Sequence, residues 1–304
     1  MTAMLERPVK LRTFAGLGLR RRVANSVAAV LVTSAMALAL VPLAWVMYSV
    51  IKLGFGTVSS LSWWTHSQAG MTAFAPGGGA YHAIIGTLLQ GLLCAAISIP
   101  IGIFVAVYLV EYGSGTRLGK IATFSVDILT GVPSIVAALF IYALWVATLG
   151  FQRSGFAVSL SLVLMMVPVI VRATEEMLRI IPIDLREASY ALGAPKWKTI
   201  TSIVIPTALS GIVTGILLAL ARVMGETAPL LILVGYSQAI NFDMFHGFMG
   251  SLPGMMYDQT SAGAGASAVP TDRLWGAALT LIVVIAILNV AARFGARVFA
   301  PKKF

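Results

Sequence analysis

The stretch "LREASYALGAPKWKTITSIVIP", residues 185–206, lies between two long apolar runs, and its reading decides the fold. "LREASYAL" has a helical composition, and Gly193 stands where a helix closes through a residue in left-handed backbone geometry. "APKWKTI" then begins a second helix, and Pro206 marks the start of the apolar run that follows. The local expectation is a short helix-turn-helix lying across one membrane surface, an amphipathic arrangement that many membrane-protein loops share.

The surroundings make that surface a bilayer's. The chain has 304 residues, of which 59% are apolar and only 11% charged, where a soluble domain carries about 25% charged residues. Apolar runs at residues 23–50, 83–110, 128–149, 156–171 (with a polar extension), 212–235 and 274–292 approach or exceed the roughly 20 residues that cross a bilayer. The predicted fold class is an all-α polytopic membrane protein with six transmembrane helices. The first run follows basic residues, but it is longer than the roughly 7–15-residue apolar region of a signal peptide and reads as a retained span.

Orientation follows from the cations. Arg7, Lys10, Arg12, Arg20, Arg21 and Arg22 precede the first span, and Arg117 and Lys120 follow the second. Arg172, Arg179, Arg186, Lys196 and Lys198 lie between the fourth and fifth, and Arg293, Arg297, Lys302 and Lys303 follow the sixth. The opposite loops hold only Lys52, Arg153 and Arg273. Positive charge stays cytoplasmic, so both termini and residues 185–206 are expected there. The net charge of +10 is thereby a topology signal, and no nucleic-acid partner is needed to explain it. The chain divides into a basic tail (1–22), a first span (23–50), a core (83–293) and a second basic tail (294–304).

Two outer loops are long. Residues 52–82 carry Trp63 and Trp64, expected as aromatic anchors at the membrane interface. Residues 236–273 contain "TSAGAGASAVP", a small-residue tract expected to be mobile. His66, His82 and His246 fall on these outer loops without metal-ligand spacing. Cys94 sits in an apolar run and reads as a packing residue. "GSGTRLGK", residues 113–120, imitates a phosphate-cradling loop, but that loop needs G-x-x-x-x-G-K-[ST]. Ser114 and Ile121 stand at positions where it requires glycine and a hydroxyl, so the stretch is expected to be a cytoplasmic turn, with no nucleotide site and no enzyme constellation on this chain. "GIVTG", residues 211–215, is a small-xxx-small pattern that permits close helix packing.

Residues 185–206 also resemble the EAA loop of ABC importer permeases, whose pattern is E-A-A, three residues, G, nine residues, then I-x-L-P. Glu187, Ala188, Ser189, Gly193, Ile203, Ile205 and Pro206 stand at those spacings, departing only at Ser189 and Ile205. Further stretches resemble the PstA-type permease family of bacterial phosphate importers: "PIGIFVAVYLVEYG" (100–113), "GVPSIVAALFIY" (131–142), "LALARVMGETAPLL" (218–231) and "LWGAALTLIVVIAILNVAAR" (274–293). The resemblance implies a cytoplasmic coupling helix between the fourth and fifth spans that docks on a separate ATPase, with Glu187, Ala188, Tyr190, Gly193, Ala194, Trp197 and Pro206 carrying the coupling. It implies a complex in the bacterial cytoplasmic (inner) membrane with a homologous PstC-type permease, two PstB-type ATPase subunits and an extracytoplasmic PstS-type phosphate-binding protein. ATP and Mg would be bound by the ATPase, with no cofactor on this chain.

"ARVMGETAPLL", residues 221–231, puts Arg222 and Glu226 inside an apolar run, where a mid-bilayer charge costs about 2.5–3.5 kcal/mol. On a continuous helix they share a face one turn apart, which reads either as a self-neutralising structural pair or as part of a route for an anion. The family resemblance implies the second, with Arg222 attracting phosphate and Glu226 positioning Arg222 and competing for it. Arg172 in "VIVRATEEML" is a second pathway candidate, set against a solvated helical extension of the fourth span with Glu175 and Glu176. Asp127 reads as an interface residue. The competing functions are a permease for another oxyanion (sulfate, molybdate or tungstate), an ion-coupled carrier, and a phosphate-status sensor.

Overall fold

The computed structural model describes residues 18–299, and among them the chain is helical with no β-strand. Arg7, Lys10, Arg12, Lys302 and Lys303, part of the expected charge asymmetry, lie outside the described residues. Two compact units divide the chain, Met1–Ser49 and Val50–Phe304. The described part of the first belongs to α1 (Leu19–Val58), whose Val27, Leu31, Leu38 and Trp45 side chains are exposed. That is the character of a helix whose solvent is lipid.

The second unit continues with α2 (Leu61–Thr65) and α3 (Tyr81–Val107), which runs into a π-turn at Tyr108–Tyr112. Next come α4 (Arg117–Thr130), α5 (Ser134–Ile141) with a π-turn at Tyr142–Thr148, and α6 (Gly155–Ile180). Helices α7 (Ile183–Ala191) and α8 (Lys196–Thr199) follow, then a π-turn at Ile200–Val204 that passes into α9 (Ile205–Met224). The chain closes with α10 (Ala228–Leu233), α11 (Leu252–Ser261) and α12 (Ala268–Phe299). Leu19–Val58, Tyr81–Tyr112, Gly155–Ile180, Lys196–Met224 and Ala268–Gly295 are long and apolar enough to cross a membrane; α4 with α5 makes a sixth if the bent pair counts as one span. The protein is thus a multi-pass, all-helical membrane protein.

The core of the second unit forms where α3, α6 and α9 meet around Cys94, Met166, Ile170, Ala219 and Val223. Cys94 is fully buried, its Sγ 3.6 Å from the Met166 sulfur, as expected of a packing residue. Lipid is as apolar as leucine, so close van der Waals contact has to hold helices together, and small residues permit it. The "GIVTG" pattern serves this purpose. A carbon added at Gly215 would lie 2.5 Å from the Ala173 Cβ, and one at Gly211 would collide with Met177. Both glycines therefore bring α9 directly onto α6.

Two of the expected spans need correction. The third span, expected to run without a break from 128 to 149, is broken at residues 131–133, where α4 and α5 meet at 107°. Pro133 has no N–H to give the preceding turn and drives Val132 out of helical geometry. The helix expected to form the fifth span over 212–235 instead runs from Lys196 to Met224, and Pro206 sits inside it without stopping it. The π-turn at Ile200–Val204 ends two residues before that proline, where the ladder must adjust to a missing donor.

The outer loops are far more structured than their composition predicts. Trp63 is 2% exposed and donates from Nε1 to Thr280 Oγ1 at 2.8 Å, so it packs inside the protein and anchors α2 to α12. His82, expected in a loop, is buried in the first turn of α3 with Nε2 2.9 Å from the Tyr236 hydroxyl. Arg273 is buried at 3% exposure in α12, where it donates to the carbonyls of Ala73, Ala75 and Gly77. Within the expected loop 236–273, Ser251 caps α11, which buries Leu252 and Met255. Burial beside α12 raises the Asp258 carboxyl above the usual carboxylate range, although Gln259 and Gln238 hydrogen bonds and Arg273 oppose the shift.

Gly215→Leu is expected to separate α9 from α6 and to cost about 1–3 kcal/mol, the scale of overpacking. A lower thermal midpoint of the detergent-purified protein would show it; an unchanged midpoint would mean that α6 yields.

Candidate coupling and transport sites

In the loop between α6 and α9, Gly193 has φ +76° and its N–H donates to the Tyr190 carbonyl at 2.9 Å. Only glycine takes that backbone geometry without strain, and the chain reverses there between α7 and α8. The hydroxyls of Ser189 and Thr199, 2.8 Å apart and buried, pin the two helices together. The expected turn between two helices is therefore present, but α8 runs on through the π-turn into α9 and is not a separate surface helix. Glu187, Ala188, Tyr190, Leu192, Gly193 and Trp197 are exposed, Leu192 at 89% and Trp197 at 63%, while Ala194 and Pro206 are half-buried. This is an apolar and aromatic ridge on a short rigid element, the kind of surface that fills partner pockets.

The loop is tied down from behind. Arg186 donates from Nε and Nη2 to Glu111 Oε1 at 3.2 and 3.0 Å, and the two side chains are 15% and 6% exposed. Its remaining donors reach the Ile181 carbonyl at 2.8 Å and the Leu178 carbonyl at 3.0 Å. Those carbonyls belong to the end of α6, where helix geometry leaves acceptors without partners. Lys196, at the start of α8, donates to the Glu111 carbonyl and lies 4.5 Å from the Tyr112 ring centroid.

Arg222 and Glu226 do not share a helix face. Helix α9 ends at Met224 with Gly225 as its cap, so Arg222 lies in the last turn and Glu226 beyond it. Arg222 is roughly 39 Å along the axis from Lys196, at the helix end and not in its middle. A cation there meets the negative end of the helix dipole. The two residues form no ion pair with each other; Arg222 is exposed and Glu226 half-buried. Glu226 lines a cavity of about 10 Å³ with Thr87, Gln90 and Ser251, and the Gln90 amide nitrogen is buried there without a partner.

Arg172, by contrast, is fully committed. It pairs with Asp127 of α4 and, at 2.8 Å, with Glu175, which also accepts from Arg179 at 2.7 Å. The Glu175 side chain is 7% exposed, so the polar end of α6 is partly buried against α4 and not simply solvated. Asp127, read as an interface residue, supplies the bond between these helices. Beside them a cavity of about 380 Å³ is lined by Lys120, Asp127, Glu175, Arg179 and the glycine-rich turn. The expected turn 113–120 is a turn only as far as Thr116, which caps α4: its Oγ1 accepts from the Gly119 N–H at 2.9 Å.

Comparison with known proteins places this arrangement. Residues 98–304 match the family described as "Binding-protein-dependent transport system inner membrane component". The chain is 56% identical over 288 residues, 95% of its length and 93% of the relative's, to "Phosphate transport system permease protein PstA 1" of Mycobacterium tuberculosis. It is 53% identical to "Phosphate transport system permease protein PstA" of Mycobacterium leprae, over 96% of this chain and 94% of that one. The chain belongs to the PstA permease family. As a member of that family the chain is a permease component of a transporter and not an enzyme. Its fold is also that of a chain in the "Crystal structure of bacterial alginate ABC transporter in complex with alginate pentasaccharide-bound periplasmic protein", with a TM-score of 0.60 at 15% identity, covering 94% of this chain and 99% of that one.

In this PstA permease, sequence reasoning passed over Glu111, Arg186 and Asp127 as paired residues. Arg186 was legible only as a topology charge. The one available signal for Glu111 was a lone carboxylate closing the apolar run "PIGIFVAVYLVEYG". Replacing buried Glu175 by alanine removes the acceptor shared by Arg172 and Arg179; the arginines are 32% and 65% exposed and Arg172 keeps Asp127, so the expected cost is about 1.5–3 kcal/mol, the scale of lost hydrogen bonds to a charged group. Asp127→Asn, at a residue 58% exposed, is expected to cost about 1 kcal/mol or less. Thermal midpoints of the two variants measured together would check the order.

Proposed function

We propose that the chain is the permease subunit of an ATP-driven, binding-protein-dependent importer of inorganic phosphate and forms half of its translocation pathway. The observation that carries this reading is the 56% identity, over nearly the whole chain, to a relative named as a phosphate transport permease. In this reading six spans cross the bacterial cytoplasmic membrane, with the bent α4–α5 pair as the third and both termini cytoplasmic. The core of residues 83–293 lies between basic tails. A PstC-type permease, two PstB-type ATPases and a PstS-type binding protein complete the complex, surrounded by membrane lipid. ATP and Mg lie on the ATPases, and this chain holds no cofactor.

Within that complex the ridge of Glu187, Ala188, Tyr190, Gly193, Ala194 and Trp197 docks on an ATPase, and Pro206 lies where its motion enters the fifth span. Arg222 serves the pathway: its exposed guanidinium has no ion-pair partner among the described residues and matches phosphate geometry. Glu226 stands close in sequence, held apart by the helix end, and limits how tightly the anion binds. Arg172 already has two carboxylate partners, so its first role is to hold α4 on α6, and a pathway role requires one of those pairs to open.

Two measurements test this. In proteoliposomes holding the four-component complex with ATP inside, phosphate uptake is expected and sulfate uptake is not, and Arg222→Ala should abolish the former. Uptake of sulfate, molybdate or tungstate in place of phosphate would reassign the substrate; flux without the ATPase would make the chain a carrier. Trp197→Ala is expected to weaken ATPase binding about tenfold, as loss of an interfacial aromatic does, without lowering the permease's own thermal midpoint. Unchanged binding would remove the ridge from the docking surface.

A further inference from the structure

Four structural elements meet around Glu111 and Arg186. Glu111 closes the span Tyr81–Tyr112. Its carboxylate is held by Arg186 of α7, its carbonyl by Lys196 of α8, and Arg186 at the same time bonds the Leu178 and Ile181 carbonyls at the end of α6. Arg186 directs donors to three acceptors on two other elements, and its planar fork fixes their relative placement. Both ionised side chains are almost fully covered, so pulling α7 away would leave an unpaired charge out of water, a costly state. Movement of the loop therefore drags its partners along.

The helices that leave this point are built to bend. The π-turn Tyr108–Tyr112 ends the second span at Glu111, and the π-turn Ile200–Val204 follows α8. Such turns relax the regular ladder over a few residues and are where helices kink. The exposed ridge of the same loop faces away, with Tyr190, Leu192 and Trp197 free to take a partner.

We propose that the Glu111–Arg186 pair is the mechanical joint of this permease: it transmits displacement of the loop 183–199 to the second span and the end of α6. Neither residue touches the transported ion. They are positioning residues that make ATP-driven motion of the loop productive. The inference rests on the transport reading above.

The test compares Glu111→Gln, Glu111→Asp and Arg186→Lys with wild type in the reconstituted complex, reading ATP hydrolysis and phosphate uptake in the same vesicles. The glutamine keeps shape but loses charge, the lysine keeps charge but loses the fork, and the aspartate keeps a shorter carboxylate. Uptake per ATP is expected to fall about fivefold or more, the lower range of inter-site coupling, in the Gln and Lys variants, with hydrolysis near wild type. Aspartate should retain more coupling than glutamine. A wild-type ratio in all three would overturn the joint and leave a structural clasp. A proportional fall of both activities would assign the pair to ATPase docking, and failure of Glu111→Gln to assemble would assign it to folding; each outcome overturns the proposal. Wild type that hydrolyses ATP and moves sulfate but no phosphate would instead overturn the phosphate reading, and the joint would then be judged on sulfate per ATP.

Discussion

Close contact along α6 is the constraint on which the rest of the second unit depends. Helices α3, α4, α5, α9 and α10 all pack against it, and bulky side chains at every contact would hold them apart. Gly211 and Gly215 remove that obstacle on α9, and Gly102 does so on α3, where an added carbon would meet Ile170 at 2.6 Å. In lipid no hydrophobic force pulls helices together, so intimate van der Waals contact has to do it.

The polar groups occupy what this packing leaves. The interior of the bundle is apolar around Cys94, Met166 and Ile170, whereas charges gather where helices end. Helix ends are where backbone acceptors lack partners and where cations meet a favourable dipole. Arg186 at the end of α6 and Arg222 at the end of α9 both follow this rule, with opposite outcomes. Arg186 is saturated by a carboxylate and two carbonyls; Arg222 is exposed and, among the described residues, without an ion-pair partner. A saturated arginine can hold parts together, and an unpaired one is available to an anion.

The same contrast separates Arg172 from Arg222, although the sequence presents both as lone charges in or beside apolar runs. Asp127 lies 45 residues from Arg172, and nothing in the local pattern announces that they meet. Conversely, Arg222 and Glu226 advertise a pair by their spacing, and the helix terminates between them at Gly225. Spacing predicts a shared face only while the helix lasts.

The sequence by itself determined the all-helical membrane class, the positions of most spans, the turn between two helices at 185–206 and the close-packing role of residues 211–215. Each is a property of a short segment: apolar length, glycine backbone freedom, or small residues one turn apart. Only the tertiary structure decided the break at 131–133, the burial of Trp63, His82 and Arg273, and the partners of Arg172 and Arg186. Glu111 and Arg186 are 75 residues apart. Such pairing depends on which helix ends the packing brings together, and no local composition encodes that distance.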